Sequence, residues 1–195
     1  MKIDHSLLYN AKIDRWSSEK WKESLVFIKD NPDILDIGCA DCVFFDFLKK
    51  NNIKFSGYGF DIDKNALKKN EYHTYTSLYD IDKKFDIITM WDTIEHLTLD
   101  EFLDYLNHIK KIIKKEGILI ISTPNIMNIF YPFWAQPTHI RPYSLDSLTK
   151  ILESQGFELK KKKKTNKLVN PLKLVFCKFM NIDPYSKIFV AAKLP

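Results

Sequence analysis

Ile34-Leu35-Asp36-Ile37-Gly38-Cys39-Ala40-Asp41-Cys42-Val43 decides how this chain is read. An apolar run stops at a glycine-containing turn, and an amphipathic stretch from Val43 to Lys50 follows at once. This is the strand, turn and helix that opens a nucleotide-binding α/β domain. The first N–H groups of the helix lack partners within it, so the turn can receive a polar or anionic group.

Working outward, Ser17 to Asp30 reads as a helix with Trp21, Leu25 and Ile28 on one face. Ile34 to Ile37 is the first strand, and the helix from Asp41 to Lys50 is expected to bury Val43, Phe44, Phe47 and Leu48. A second strand, Lys54 to Phe60, ends at Asp61, and Asp63 can cap a short helix through Lys69. His73 to Thr76 and Phe85 to Met90 are the third and fourth strands. Thr98-Leu99-Asp100-Glu101 is a capping box, opening a helix whose apolar stripe runs from Leu99 to Ile113. Gly117 is expected to end that helix and Ile118 to Ser122 to follow as a buried parallel strand. Gly38, Gly59, Gly117 and Gly156 all read as breakpoints between elements. From Thr123 to Pro142 the chain is irregular and aromatic, and so long a loop inside a compact domain is usually functional. Ser144 caps a further helix that Gly156 ends. Phe157 to Lys164 and Ile188 to Leu194 read as a closing pair of strands. Between them, Leu168 to Met180 reads as an amphipathic helix interrupted early by Pro171. We expect that helix to pack on the sheet or a second subunit, with contact to a membrane surface as the alternative. Alternating strands and helices give an α/β, doubly wound, mostly parallel sheet.

The 195 residues suit one domain: an N-terminal helical segment over 1–30, a substrate-side loop over 123–143 and a helical insertion over 165–187. The apolar share of 45%, charged share of 28% and net charge of +5 are those of a soluble globular protein with weak attraction for polyanions. Met1 to Asn10 has no apolar signal region and no run reaches membrane-span length, so a cytoplasmic protein is expected. Cys39, Cys42 and Cys177 make no disulfide framework, and Cys39-x-x-Cys42 lacks the further ligands of a zinc site.

Five pieces in register give the chain, from Asp33 to Lys193, a resemblance to class I S-adenosylmethionine-dependent methyltransferases. They are the turn Asp36 to Cys39, Asp61 at the end of the second strand, Phe85 to Leu97, Ile121-Ser122-Thr123-Pro124-Asn125, and His139 to Ser144 leading to Gly156-Phe157. The resemblance implies a Rossmann-like methyltransferase fold with seven strands, the last antiparallel. It implies that Asp36, Gly38, Cys39 and Ala40 face the methionine end of S-adenosyl-L-methionine. It places Asp61 on the ribose hydroxyls, Ile62 on the adenine, and Trp91 and Asp92 beside the cofactor. Where the family usually has Gly-x-Gly-x-Gly, this chain has Gly38, Ala40 and Cys42.

Asp92-x-x-Glu95-His96 resembles the Glu-x-x-Glu-His motif of ubiquinone-pathway and small-RNA 3′-terminal methyltransferases, in which carboxylates and histidines hold a divalent metal. The resemblance makes Asp92, Glu95, His96 and His139 a candidate ligand set for Mg²⁺, Mn²⁺, Fe²⁺ or Zn²⁺. The same residues also read without metal: His139 as general base with Glu95 and His96 beside it, or all of them as structural. The leading expectation is methylation of a small-molecule acceptor, an O-methylation of a sugar, glycolipid precursor or related metabolite, by a possible homodimer. Metal-assisted RNA 3′-terminal 2′-O-methylation is one alternative, and a non-catalytic methyltransferase-like binding protein is another. No separate nucleic-acid module is present in the sequence.

Overall fold

The computed structural model describes residues 15–67, 71–167, 171–180 and 182–195. Strands β1 (Asp33–Ile37), β2 (Ser56–Phe60), β3 (His73–Tyr75), β4 (Phe85–Trp91), β5 (Ile113–Pro124), β6 (Glu158–Lys167) and β7 (Tyr185–Lys193) form one sheet in the order β3-β2-β1-β4-β5-β7-β6. The pairings from β3 through β5 are parallel. β7 lies antiparallel to both β5 and β6, as expected of the last strand.

Side chains alternate across the sheet, so each strand feeds two cores. Leu35, Ile37, Ile88, Met90 and Ile121 face one side, against Phe102, Leu106 and Ile109 of α4 (Leu99–Ile112) and Leu148 and Leu152 of α5 (Leu145–Ser154). Ile34, Ile87 and Ile120 face the other, against α2 (Val43–Lys50) and Trp21 of α1 (Arg15–Ser24). Trp21 packs on Phe44 and Phe47 with ring centroids 5.9 and 5.3 Å apart.

The capping boxes form as read: Thr98 with Glu101, and Ser144 with Ser147. Several boundaries differ. α1 ends at Ser24 and a 3-10 turn, Leu25–Phe27, takes its place. α2 begins at Val43 rather than Asp41, because Cys42 adopts a left-handed conformation with φ 59°. Phe45 is buried there, while Val43 is half-buried. α4 stops at Ile112, five residues before Gly117, because Ile113 pairs with Phe85 and starts β5 early. Gly59 lies inside β2 and breaks nothing. Pro171 does not interrupt the late helix but begins it, as α6 (Pro171–Phe179), where a missing N–H costs nothing. Among the described side chains of α6 only Cys177 is buried, while Val175, Phe176 and Phe179 are exposed. The short helix after Asp63, α3 (Lys64–Leu67), is seen to Leu67. Residues 1–14 of the N-terminal segment, the expected continuation of α3 to Lys69 and residues 168–170 lie outside the described residues.

Candidate functional site: a turn and a histidine cluster on one sheet edge

β1, β2, β4 and β5 end at the same edge of the sheet, and the candidate residues gather there. The turn after β1 is held by Phe60, whose carbonyl accepts the N–H groups of Gly38 (2.7 Å) and Cys39 (3.1 Å). Gly38 has φ +75°, and a Cβ on it would lie 2.6 Å from the Thr93 side chain, so only glycine fits. Ala40 and Cys42 hold φ 46° and 59°. The backbone therefore keeps a glycine-type turn with side chains added, at roughly 1 kcal/mol or more of strain per residue.

Room for those side chains comes from the next strand. A Cβ on Gly59 would sit 2.6 Å from the Cys39 sulfur and 2.9 Å from that of Cys42. Cys39 and Cys42 are buried free thiols whose sulfurs lie 3.2 Å apart. Sharing its proton with the Cys42 sulfur, together with burial, pushes the Cys39 thiol far up from its ordinary range, which makes it an inert packing group.

Asp61 ties the turn to β2. Its Oδ2 accepts the Ala40 N–H (2.9 Å) and its Oδ1 the Asp63 N–H (2.9 Å). Ile62 beside it is exposed. Asp36 is buried at the end of β1 and accepts a hydrogen bond from Thr89 Oγ1 at 2.7 Å. Burial pushes its carboxyl up to about 7, against a partial pull downward from Thr89 and Lys20.

Asp92, with φ 52°, follows β4. Its Oδ2 is paired with Lys20 (2.6 Å) and Lys187 (2.8 Å), and its Oδ1 accepts from Ser122 (3.2 Å). The site is buried, yet the two lysines hold Asp92 far below the usual carboxylate range. Lys187 is correspondingly held above its ordinary value, mainly by Asp92 against the opposing effect of burial. Trp91 packs in the core, 5.0 Å from Phe44 and 6.4 Å from Phe189 between ring centroids.

Glu95, His96 and His139 come together. Each offers a ligand atom, and these atoms lie within 4.8 Å of one another. Asp92 is not in this set, since both lysines claim it. The Glu95 carbonyl accepts the N–H groups of Ile140 (2.8 Å) and Arg141 (3.1 Å), which pins the long loop over the end of β4. The Glu95 carboxyl is buried. Oε2 accepts from Thr123 at 2.8 Å, while Oε1 is buried with no hydrogen-bond partner among the described residues. Burial, then the Asp92 charge, pushes this carboxyl up to about 8.

The two imidazoles are fixed alike. His96 Nδ1 lies 3.0 Å from the Thr138 carbonyl and His139 Nδ1 2.9 Å from that of Phe133. A carbonyl only accepts, so each Nδ1 carries a proton, and the neutral His139 ring keeps its lone pair on Nε2. Burial, with His96 adding to it, lowers the His139 value, which favours that neutral form near pH 7. Such a cluster can take a proton from a hydroxyl or bind a cation.

Sequence reasoning named Asp36, Gly38, Cys39, Ala40, Asp61, Ile62, Asp92, Glu95, His96 and His139, and all stand on this one edge. It missed Lys20, Lys187, Thr89 and Thr123. Lys187 carries a weak signal, a lone cation beside the apolar run Ile188 to Ala192. Lys20 carries none, because its partner is 72 residues away.

The model of a family described as "Methyltransferase domain" matches residues 10–162 of the chain. Among solved structures, the chain is similar to a SAM-dependent methyltransferase from Archaeoglobus fulgidus, with 21% identity over 88% of this chain and 90% of that one and a TM-score of 0.72. It is also similar to an S-adenosylmethionine-dependent methyltransferase from Clostridium acetobutylicum, with 14% identity over 98% and 95% and a TM-score of 0.66. At these identities the likeness establishes the fold. A search of curated protein sequences finds no match.

Proposed function

The chain belongs to the methyltransferase domain family, and from that premise we propose that it transfers the methyl group of S-adenosyl-L-methionine to a hydroxyl of a small acceptor. A sugar, glycolipid precursor or related metabolite is the acceptor class. The observation that carries this reading is the lone-pair state of His139 Nε2, fixed by the Phe133 carbonyl, on the same sheet edge as the glycine-type turn.

The cofactor carboxylate fits the N-terminus of α2, and Asp36 sits where it can answer the ammonium. Asp61, at the end of β2 beside the turn, supplies the carboxylate for the ribose hydroxyls, and exposed Ile62 supplies an apolar surface for adenine. The acceptor oxygen attacks the methyl carbon in line as the sulfur–carbon bond breaks, leaving S-adenosylhomocysteine. His139 takes the hydroxyl proton on Nε2. Holding oxygen and methyl in near-attack geometry supplies much of the rate, and the base adds a further ~10²–10⁴-fold.

A second reading adds a divalent cation, favoured by the unpartnered Oε1 of Glu95. Glu95, His96 and His139 would hold it, and one carboxylate with two imidazoles suits Fe²⁺, Mn²⁺ or Zn²⁺ better than Mg²⁺. Both imidazoles already donate from Nδ1 to carbonyls, the usual outer support of metal-bound histidine. When bound, such an ion would lower the pKa of the acceptor hydroxyl. Asp92 is outside this set.

Transfer to RNA finds less support. Of the β6 lysines, Lys161 and Lys163 pair with Glu23, Lys160 with Glu158 and Lys164 with Asp183, so their charge is largely answered within the protein. A non-catalytic methyltransferase-like binding role finds less too, since the turn keeps a glycine-type shape around Ala40 and Cys42 beside His139.

Thermal denaturation with S-adenosylmethionine and S-adenosylhomocysteine, with and without Fe²⁺, Mn²⁺ and Zn²⁺, tests these readings. Cofactor binding raises the midpoint as RT ln(1+[L]/Kd). No shift with either cofactor refutes the transfer reading. A cofactor shift indifferent to metals, in protein that purifies free of metal, refutes the cation reading alone.

A further inference from the structure

The sheet edge that carries the candidate site also carries an apolar surface. Residues 125–142 leave β5 at this edge. α6 joins β6 to β7 there, since Lys187 at the start of β7 pairs with Pro124 and binds Asp92. On α6 and in the turn that ends it, Val175 is 70% exposed, Phe176 49%, Phe179 86% and Met180 51%. This i, i+1, i+4, i+5 spacing is one helical stripe, and buried Cys177 lies on the opposite side. The loop adds Ile129, 67% exposed, and Trp134, 64% exposed.

Charge indicates what covers such a surface. From Leu159 to Ile182 there are eight lysines and no aspartate or glutamate; four of them answer Glu23, Glu158 and Asp183, and the charge that counts here is that of Lys167, Lys173 and Lys178, on α6 or within four residues of it in sequence. From Gly117 to Leu145 there is again no acidic residue. On α6 itself the exposed Lys178 stands beside the stripe. An apolar stripe bordered by lysines, with acids absent from both segments, fits an anionic lipid headgroup layer with acyl chains beneath it. Tryptophan also suits that boundary, having an apolar body and a polar N–H. At about 1.5 Å per residue, the nine residues of α6 are too short to cross a bilayer and suited to lying on one.

We propose that α6 and the loop at 125–142 dock the protein on an anionic lipid surface, with the candidate site at the edge of the contact. Resting on the methyl-transfer reading, this makes the acceptor an amphiphile whose hydroxyl is presented at the headgroup layer.

The test is flotation of the full chain with phosphatidylcholine vesicles, with and without phosphatidylglycerol. Binding is expected to the mixed vesicles, weakened by salt, and much less to phosphatidylcholine alone. Phe176→Ser with Phe179→Ser should cut that binding by about tenfold or more. These rings are largely exposed, so the variant should keep the thermal midpoint and the S-adenosylhomocysteine response of the parent. No binding to the mixed vesicles overturns the proposal, as does equal binding by parent and variant. So does a dimer, seen by light scattering, that the same substitutions split while vesicles stay unbound, because a second copy would then be the occupant. Flotation needs no methyl transfer, so its failure is separable from failure of the cofactor titration.

Discussion

Replacing Asp36 with Asn should make the protein more stable, and the gain should grow with pH. The Asp36 carboxyl is buried at the end of β1 and pushed up to about 7 from an ordinary 3.8. Between those values the unfolded chain has released the proton and the folded protein still holds it. Raising the pH through that window therefore favours unfolding, and above it the penalty is constant. Integrating between pH 5 and pH 8 gives a loss of about 2.5 kcal/mol from this one group. Asn cannot titrate, and its Oδ1 can keep the hydrogen bond from Thr89 that Asp36 now accepts at 2.7 Å. Urea unfolding of both proteins at pH 5 and pH 8 isolates the effect, because every other titrating group is shared. The variant should gain on the parent by about 2.5 kcal/mol over that interval. A gap that stays constant, or moves the other way, would refute the claim that Asp36 is held protonated by burial. The same proton links to function. A cofactor ammonium beside Asp36 favours the carboxylate, so parental affinity for S-adenosylmethionine should weaken as pH falls below 7, and the variant should lose that dependence.

Three further outcomes are expected. Gly59→Ala should cost about 2–3 kcal/mol by overpacking, because its Cβ would meet the sulfurs of Cys39 and Cys42 at 2.6 and 2.9 Å; adding Cys39→Ala should return part of the lost midpoint. Ala40→Gly should relieve the left-handed backbone and raise stability by about 0.5 kcal/mol in chemical denaturation, the gain being reduced by the extra freedom of glycine in the unfolded chain. His139→Gln should lower kcat by ~10²–10⁴-fold while leaving the S-adenosylhomocysteine thermal shift unchanged. The parental kcat should rise with pH through a value below that of free imidazole, because burial and His96 both disfavour the charged ring.

The order of elements was legible because it rests on local chemistry. The run before Gly38, the two capping boxes and the glycine after α5 each act within a few residues. What was not legible depends on distant partners. α4 ends at Ile112 because Phe85 of β4 claims Ile113, not because of the Gly117 signal downstream. Gly59 looked like a breakpoint but is needed for the bulk of Cys39 and Cys42, which lie in another turn. In the site, Glu95, His96 and His139 were found through motif and loop position. The state of Asp92 was not, since it is set by Lys20 and Lys187, far from it in opposite directions along the chain. The exposure of the α6 stripe was equally hidden. An amphipathic pattern says that one face seeks apolar company, not where that company is.

The strand order also has a consequence in time. β7 lies between β5 and β6, yet residues 185–193 follow both in the chain. During synthesis β5 and β6 emerge first, and each must wait with an unpaired edge for the same late segment. Ile120 and Ile121 of β5 are fully covered only once that segment arrives. The nascent protein thus passes through an interval in which a central apolar strand has an open side, and that interval is when it would be most prone to join a neighbour.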